Sequence, residues 1–273
     1  MTWNSVMGIV SSLALFCPVL LILLLRLGAY RTFPALLFYY SSVLVYNLMT
    51  EGYITASPKL VHYWGLVNNL LDAPLMLGFL LYFNTSPAFT RRIKMLIAAF
   101  ILFELTVVAI FGITVNAITV ILGPGILLII SLCLYFFIRH TKIVEVHHKA
   151  AGKALITAAL LFAYGCYGII YLMYYIFKTP YVADAFLIYF LVVTLSALLL
   201  SAGIILEEKR IRKLNELKQT RQELSDIYAN EKKAAPPYGE QPCLILTGSS
   251  GINNNTALLQ SFYLQFFSLL LYC

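Results

Sequence analysis

Long apolar stretches separated by short polar connections dominate the chain. A membrane-spanning α-helix needs about 20 consecutive, mostly apolar residues. Seven stretches have this character: Ser5–Leu25, Phe33–Ile54, Tyr63–Phe83, Met95–Ile113, Ile118–Ile138, Ala154–Ile176 and Asp184–Leu206. The pattern predicts an all-α, polytopic membrane protein with seven transmembrane helices in residues 1–206. The connection 114–117 is so short that the fourth and fifth helices should be antiparallel neighbours.

Basic residues are distributed unevenly between alternate connections. The connections after the first, third and fifth predicted helices contain nine Lys and Arg residues, whereas those after the second, fourth and sixth contain only Lys59 and Lys178. Because Lys and Arg accumulate on the cytoplasmic side, the N-terminus is predicted outside and the C-terminus in the cytoplasm. Arg26 and Arg31 follow the first apolar stretch, which favours a retained helix over a cleaved signal peptide.

A polar segment, 207–233, follows the seventh helix and contains neither Gly nor Pro. Glu208 and Arg212 are spaced to form an ion pair along one helix face. Three leucines occupy positions typical of a coiled coil, although Arg221 interrupts them: Leu214, Leu217 and Leu224. The segment is therefore predicted to be a charged cytoplasmic helix, either a short coiled coil or a helix lying along the membrane surface.

Residues 234–273 differ from everything before them, because Glu240 is their one charged residue. Pro236 and Pro237 end the preceding helix. Residues 257–273 are apolar but short for a membrane span. We expect this tail to be poorly ordered or associated with the membrane, unless it is not an evolved structural element.

Composition supports the membrane assignment and narrows the function. The chain is 61% hydrophobic and 11% charged, whereas soluble domains contain about 25% charged residues. The net charge of +7 lies in connections and tail, where it orients the protein and attracts anionic lipid rather than nucleic acid. The five cysteines form no CxxC pattern, so no disulfide framework or structural zinc site is expected. The chain has only four histidines and no P-loop or dinucleotide fingerprint, so no metal site and no cofactor are expected. The expected location is the plasma membrane, the inner membrane of a bacterium.

Two carboxylates, Asp72 and Glu104, lie about ten residues into their predicted helices, near the membrane midplane. Ionisable groups at this depth are costly and usually mark functional sites. Helical spacing places other polar residues on the same helix faces. The residues expected to form an outward-facing, polar and aromatic ligand pocket or a proton relay are Asp72, Glu104, Asn68, Asn69, Glu51, Asn47, His62, Tyr167 and Tyr171. Alternatively, such side chains only hydrogen-bond between helices, for about 1 kcal/mol or less each.

Two prolines are predicted to bend their helices next to this polar group. Pro74 follows Asp72 closely and leaves the carbonyl of Leu70 without its helical partner. The sequence Gly123-Pro124-Gly125 should disturb the fifth helix more strongly. Interrupted helices beside polar side chains are a common way to build binding sites at membrane depth.

Two resemblances add to these predictions. The seven helices superficially resemble microbial rhodopsins. Two short segments add to the resemblance, one in the third helix and one in the seventh: Asp72-Ala73-Pro74-Leu75-Met76-Leu77 and Leu195-Ser196-Ala197-Leu198. The lysine that would bind retinal falls at Leu198, which excludes a covalent pigment. The bundle with its charged extension is also similar to membrane sensor modules of bacterial histidine kinases. No kinase element follows Lys233, so that resemblance implies that a partner supplies the output.

These observations predict a multi-pass sensor or receptor-like protein that binds a small molecule or lipid and signals through the cytoplasmic helix. A signalling partner, or a homodimer through 207–233, would read the signal. A proton-coupled transporter that uses Asp72 and Glu104 is the first alternative. A membrane-embedded enzyme that modifies lipid, with Asp72, Glu104 or His62 as acid and base, is the second. No residue is assigned a catalytic role, and a non-enzymatic function is favoured.

Overall fold

The computed structural model of this chain describes residues 3–84, 86–147, 150–173 and 182–234. Within these ranges the protein is all-α and contains the following long helices: α1 (Trp3–Leu24), α2 (Phe33–Thr50), α3 (Pro58–Leu80), α4 (Pro87–Phe111), α5 (Val115–His147), α6 (Ala151–Tyr171) and α7 (Val182–Ala234). Short 3-10 helices, Leu27–Ala29 and Leu81–Phe83, follow α1 and α3. The predicted end of the sixth helix at Ile176 and the tail 235–273 lie outside the described residues.

The prediction of seven apolar helices is confirmed for the described part of the chain. Each of α1 to α7 contains a segment that is long and apolar enough to cross a membrane. The predicted orientation remains a prediction, because helix length and composition are the same in either direction. The chain divides into two units, 1–220 and 221–273, and every contact described below lies in the first.

Several helices extend beyond their apolar stretches, among them α4 and α5. The helix α4 begins at Pro87 rather than Met95, and α5 continues to His147 rather than ending at Ile138. Hydropathy marks where a helix becomes polar, whereas backbone hydrogen bonding continues until a cap or a turn interrupts it. Proline at the first helical position suits the start of α4, since its missing N–H has no partner there in any case.

Both mid-helix prolines lie within uninterrupted helices. Pro74 is inside α3 and Pro124 is inside α5. The glycine after Pro124 has a packing role, because a Cβ at Gly125 would lie 3.1 Å from the Cβ of Ala73 and 3.2 Å from the Phe100 ring. Gly125 thus lets α5 approach both α3 and α4 closely.

The helix α3 occupies a central position, with contacts to α2, α4 and α5. The predicted neighbours α4 and α5 also pack together, and α5 packs extensively on α6. Aromatic rings fill the core at the end of α3: Phe33, Phe79, Tyr82, Phe83 and Phe136. This arrangement brings Asp72, midway along α3, and Tyr82, at its end, against different neighbours.

Candidate functional site

The carboxylate of Asp72 lies in the interior of the bundle near the middle of the α3 span. Its Oδ1 accepts a hydrogen bond from the hydroxyl of Tyr164 on α6. The hydroxyl of Tyr39, from α2, lies beside the same two side chains. Asp72 as a residue is of intermediate exposure, but its carboxylate is densely surrounded by protein atoms. Three helices therefore supply one polar centre, which we call the Asp72 cluster: Asp72, Tyr39 and Tyr164.

A line of phenol rings connects this cluster to α7. The rings of Tyr164 and Tyr167 meet edge to face at 5.9 Å between centroids. Tyr167 in turn stacks on Tyr189 of α7 at 5.8 Å. Residues three apart on a helix share one side, so Tyr164 and Tyr167 of α6 both face the interior. The contacts provide a continuous path from α3 through α6 to α7.

A small cavity adjoins the Asp72 cluster. Its volume is about 20 Å³, and four tyrosines and a serine contribute to its wall: Tyr39, Tyr40, Tyr164, Tyr167 and Ser196. A cavity of this size holds about one water molecule when polar groups are available to bind it. Sites for drug-sized ligands are about 300–1,000 Å³, so a larger ligand would have to separate the helices that line this cavity.

Glu104 of α4 is also buried, with 7% of its surface exposed. Its Oε1 has no hydrogen-bond partner among the described residues. The side chain is close enough to Asp72 for the two charges to interact. The two predicted mid-membrane carboxylates are therefore neighbours, although no hydrogen bond between them is present in the described part of the chain.

The predicted residues Asn47 and Glu51 lie elsewhere, against α1. The Asn47 Nδ2 donates hydrogen bonds to the hydroxyls of Ser12 (2.8 Å) and Ser11 (3.5 Å). The carboxylate of Glu51 packs directly on Gly8, where a Cβ would overlap it. These contacts join α1 to α2 at the predicted outer end of the bundle.

No described contact joins the remaining predicted residues to the Asp72 cluster. Asn69 and His62 are exposed, and Asn68 is of intermediate exposure. The Tyr171 hydroxyl donates to the Thr119 carbonyl at 3.0 Å and so connects α6 to α5. The predicted set thus separates into distinct groups, because each position on a helix faces a direction that only packing determines. The sequence reasoning did not single out Tyr39 and Tyr164, because tyrosines in membrane helices often only hydrogen-bond to a neighbouring helix.

A second polar centre, which the sequence did not indicate, lies where α3 ends beside α6 and α7. Glu207 is completely buried and accepts hydrogen bonds from the Tyr82 hydroxyl and from Nε of Arg210, the latter at 3.0 Å. The ammonium of Lys153 lies 4.5 Å from the centre of the Tyr82 ring. The first residue of the predicted solvated helix 207–233 is therefore part of the bundle core. One turn later, the predicted ion pair of Glu208 with Arg212 is present.

The predicted spans left His140 and Lys153 in the connection 139–153, and this prediction was wrong. His140 belongs to α5 and Lys153 to α6, with only 4% and 7% of their surfaces exposed. The imidazole stacks on Phe136 and contacts Phe83, at centroid distances of 6.3 and 5.7 Å. These aromatic rings cover the polar side chains, which hydropathy along the chain cannot reveal.

Two glycines bring α6 and α7 together at this end. A Cβ at Gly152 would lie 2.5 Å from the backbone nitrogen of Glu207, and one at Gly203 would lie 3.0 Å from that of Ile156. Small residues permit such close approach of membrane helices. The glycine before Lys153 thus places Glu207 in the interior and holds the two charged side chains near each other.

Among the described residues, no group of three or more His, Cys, Asp or Glu side chains could hold a metal ion. Compared with protein-family models, curated proteins and solved structures, the chain has no match. Arguments about its function therefore rest on the two polar centres and the contacts between them.

Proposed function

We propose that this chain is a multi-pass membrane sensor in which the Asp72 cluster binds a small molecule or lipid and α7 transmits the change. The observation that supports it best is the line of contacts from Asp72 through Tyr164 and Tyr167 to Tyr189 of α7. Signalling of this kind requires a ligand-binding group in the membrane and a helix that carries its movement to the cytoplasm. Asp72 and α7 would fill these two roles, and the tyrosine contacts connect them.

The small cavity suggests how binding would act. A ligand with a cationic or hydrogen-bond-donating group would compete with the Tyr164 hydroxyl for Asp72. Because only about one water molecule fits in the cavity, a ligand would also part α3 and α6. A ligand shifts a conformational equilibrium only through such a difference in its contacts with the two states. Tyr167 and Tyr189 would then carry the displacement of α6 to α7.

A second contact between the α3 region and α7 lies at the C-terminal end of α3. Tyr82 follows directly after α3 and hydrogen-bonds to Glu207 of α7. A shift of α3 at Asp72 would therefore act on α7 at Glu207 as well. Beyond this point Leu214 and Leu217 are 48% and 50% exposed. We propose that this part of α7, within 207–233, contacts a cytoplasmic partner or a second copy of the chain.

The proposed location is the plasma membrane, the inner one in a bacterium, with Glu207 on the cytoplasmic side. Basic residues from separate connections meet at this end, since the charge of Lys153 interacts with those of Arg31, Arg139 and Arg210. Such an accumulation is typical of the cytoplasmic side.

The test is native mass spectrometry of the purified protein, which detects a ligand that remains bound. We expect the variant Asp72→Asn to lose that ligand while remaining folded. Asn69→Leu is the matched control, because Asn69 is a polar residue of the same helix that is exposed, and it should retain the ligand. Equal ligand occupancy in the wild type and Asp72→Asn would exclude Asp72 as the binding residue.

Proton-coupled transport is a second candidate, and the position of Glu104 favours it. Its Oε1 has no partner among the described residues, and its charge interacts with that of Asp72. Two neighbouring carboxylates within a membrane can relay a proton. Protein in liposomes should then acidify the interior when substrate is added, and Glu104→Gln should abolish this flux. Flux that persists in the variant would contradict the relay.

The lipid-modifying alternative has less support. His62 is exposed, and ten residues of α3 separate it from Asp72, a distance of about 15 Å along the helix axis. An acid and a base must both reach the reacting group within hydrogen-bonding distance. These two residues could not act together on one lipid bond in this arrangement.

A further inference from the structure

The polar centre around Glu207 contains more positive than negative charge. We define the basic end cluster as Arg31, Arg139, His140, Lys153 and Arg210. Its members come from the start of α2, from α5, from α6 and from α7, and they are close enough for their charges to interact. Glu207 is the carboxylate that the described contacts place among them, and it is already paired with Arg210. Arg31, Lys153 and Arg210 thus outnumber the one carboxylate that these contacts describe.

Lys153 is a buried cation without an ion-pair partner among the described contacts. Its side chain is buried, with 7% of the residue exposed, and its ammonium lies over the Tyr82 ring. Within the described residues, no carboxylate lies at ion-pair distance from it. A buried charge is stable when it is paired and hydrogen-bonded, and an aromatic face supplies only part of that stabilisation. A second anion at this position would complete it.

His140 and the start of α6 supply further donors. Both ring nitrogens of His140 are buried without a hydrogen-bond partner among the described residues, although the Phe83 carbonyl lies nearby outside hydrogen-bonding geometry. Ala150, at the N-cap of α6, offers no side-chain cap. Lys153 lies in the first turn, where backbone N–H groups and the helix dipole favour an anion. The side chains and the backbone therefore favour the same kind of ligand.

Exposure decreases from the surface to the interior of the cluster. Arg31 is exposed, the Arg210 side chain is 32% exposed, and Lys153 is buried behind them. The cluster lies where α3 ends and α6 begins, and the ends of membrane-spanning helices lie near the phospholipid phosphates. In the predicted orientation this is the cytoplasmic leaflet, whose anionic lipids bind basic pockets between helices.

We infer that the basic end cluster is a binding site for a phosphate group, carried by an anionic phospholipid or free in solution. The phosphate oxygens would accept hydrogen bonds from Lys153, His140 and Arg31, and Glu207 would hold Arg210 beside them. The bound group would join α2, α5 and α6 next to the close contact of Gly152 with α7. This inference does not depend on a ligand at Asp72, which lies in a different part of α3.

Binding of dioleoyl phosphatidylglycerol to the detergent-purified full-length chain, measured by native mass spectrometry, tests the site. Dioleoyl phosphatidylcholine provides the comparison, because it has the same chains and phosphate but no net charge. We expect the wild type to prefer phosphatidylglycerol and Lys153→Met to reduce its affinity by about tenfold, equivalent to about 1.4 kcal/mol. Lys142→Met is the matched control, since it removes an exposed charge from α5, and it should change the affinity less than about twofold.

Inorganic phosphate distinguishes the two sources. If millimolar phosphate displaces phosphatidylglycerol from the wild type, the site accepts the free ion; if lipid remains bound, the site requires the lipid. Either result supports a phosphate site provided that Lys153→Met, and not Lys142→Met, weakens binding. Equal losses in both variants, or a wild type that binds neither phosphatidylglycerol selectively nor inorganic phosphate, would overturn the inference.

A second pair of variants covers the case in which Lys153→Met does not fold. Arg31→Gln alters an exposed member of the cluster, and Arg92→Gln removes an exposed charge from α4. We expect only Arg31→Gln to weaken phosphatidylglycerol binding, by several fold. An unchanged affinity in Arg31→Gln would refute the site as defined.

Discussion

In both the Asp72 cluster and the centre around Glu207, a carboxylate accepts a hydrogen bond from a tyrosine hydroxyl, but the surroundings of the two carboxylates differ. Asp72 is surrounded by neutral phenols from α2 and α6. Glu207 is surrounded by cations and is paired with Arg210. The middle of the bundle contains hydroxyl groups, whose burial costs less free energy than that of charges when they are hydrogen-bonded. The end of the bundle instead combines several charges. The first arrangement suits a site that is rearranged by binding, and the second suits one that holds an anion.

Removing the carboxylate of Glu207 should have the largest effect. In Glu207→Ala, Arg210 loses its buried ion-pair partner, and breaking a buried pair costs about 3–5 kcal/mol. Thermal unfolding in detergent should therefore occur at a much lower temperature than in the wild type. Glu208→Ala is the comparison: Glu208 is also buried, but its partner Arg212 is 69% exposed and stays hydrated without it, so we expect a smaller shift than in Glu207→Ala. Equal shifts in both variants would remove the distinction between the two carboxylates.

Steric disruption of the α6–α7 contact should have the next largest effect. In Gly152→Ala the new methyl group would meet the backbone of Glu207, and overpacking of this kind costs about 1–3 kcal/mol. Gly165→Ala is the matched control on the same helix, since no atom lies within 4 Å of its Cβ position. Melting temperatures of the two variants should move in opposite directions, because alanine stabilises a helix relative to glycine. A stable Gly152→Ala protein would show that the close approach is dispensable.

Loss of one hydroxyl at the Asp72 cluster should have a smaller effect. Tyr164→Phe removes the donor to Asp72, and hydrogen bonds between membrane helices contribute about 0.6 kcal/mol on average and at most about 1.7 kcal/mol. Chemical unfolding should reveal a loss of about 1 kcal/mol, with no change in phosphatidylglycerol binding. Tyr53→Phe, at an exposed position, should leave the free energy of unfolding unchanged. A change in lipid binding in Tyr164→Phe would indicate that the two centres are coupled.

Replacement of His140 should have the smallest effect on stability and separates the centres by function. His140→Phe keeps an aromatic ring between Phe83 and Phe136 and removes two buried nitrogens without partners. We expect the free energy of unfolding without lipid to stay the same or rise by up to about 1 kcal/mol, while phosphatidylglycerol affinity falls. Chemical unfolding of the wild type and the variant, without lipid and at the same series of phosphatidylglycerol concentrations, measures both the free energy of unfolding and the lipid affinity. A loss of stability in the absence of lipid would show that the imidazole is satisfied within the protein.

Local sequence carried enough information for the helices and for one member of the candidate site. An apolar stretch of sufficient length must form a helix within lipid, because every backbone polar group needs an internal partner there. Each of the predicted spans corresponds to an apolar helix of the described chain, although polar extensions such as the start of α4 were missed. Asp72 was singled out because its charge is unusual at its depth, which requires no knowledge of its neighbours.

The partners of these residues depended on tertiary structure. Asn68 and Asn69 are next to Asp72 on the same helix, but the hydrogen-bond donor is Tyr164, distant in sequence. Glu207 belongs by sequence to a solvated helix, and only the approach of α6 at Gly152 together with the Tyr82 hydroxyl places it in the core. The rotation of each helix about its axis decides which side chains meet, and that rotation results from packing between segments far apart in the chain. The sequence by itself determined seven apolar helices and a charge at their centre, while the tertiary structure decided what surrounds each charge.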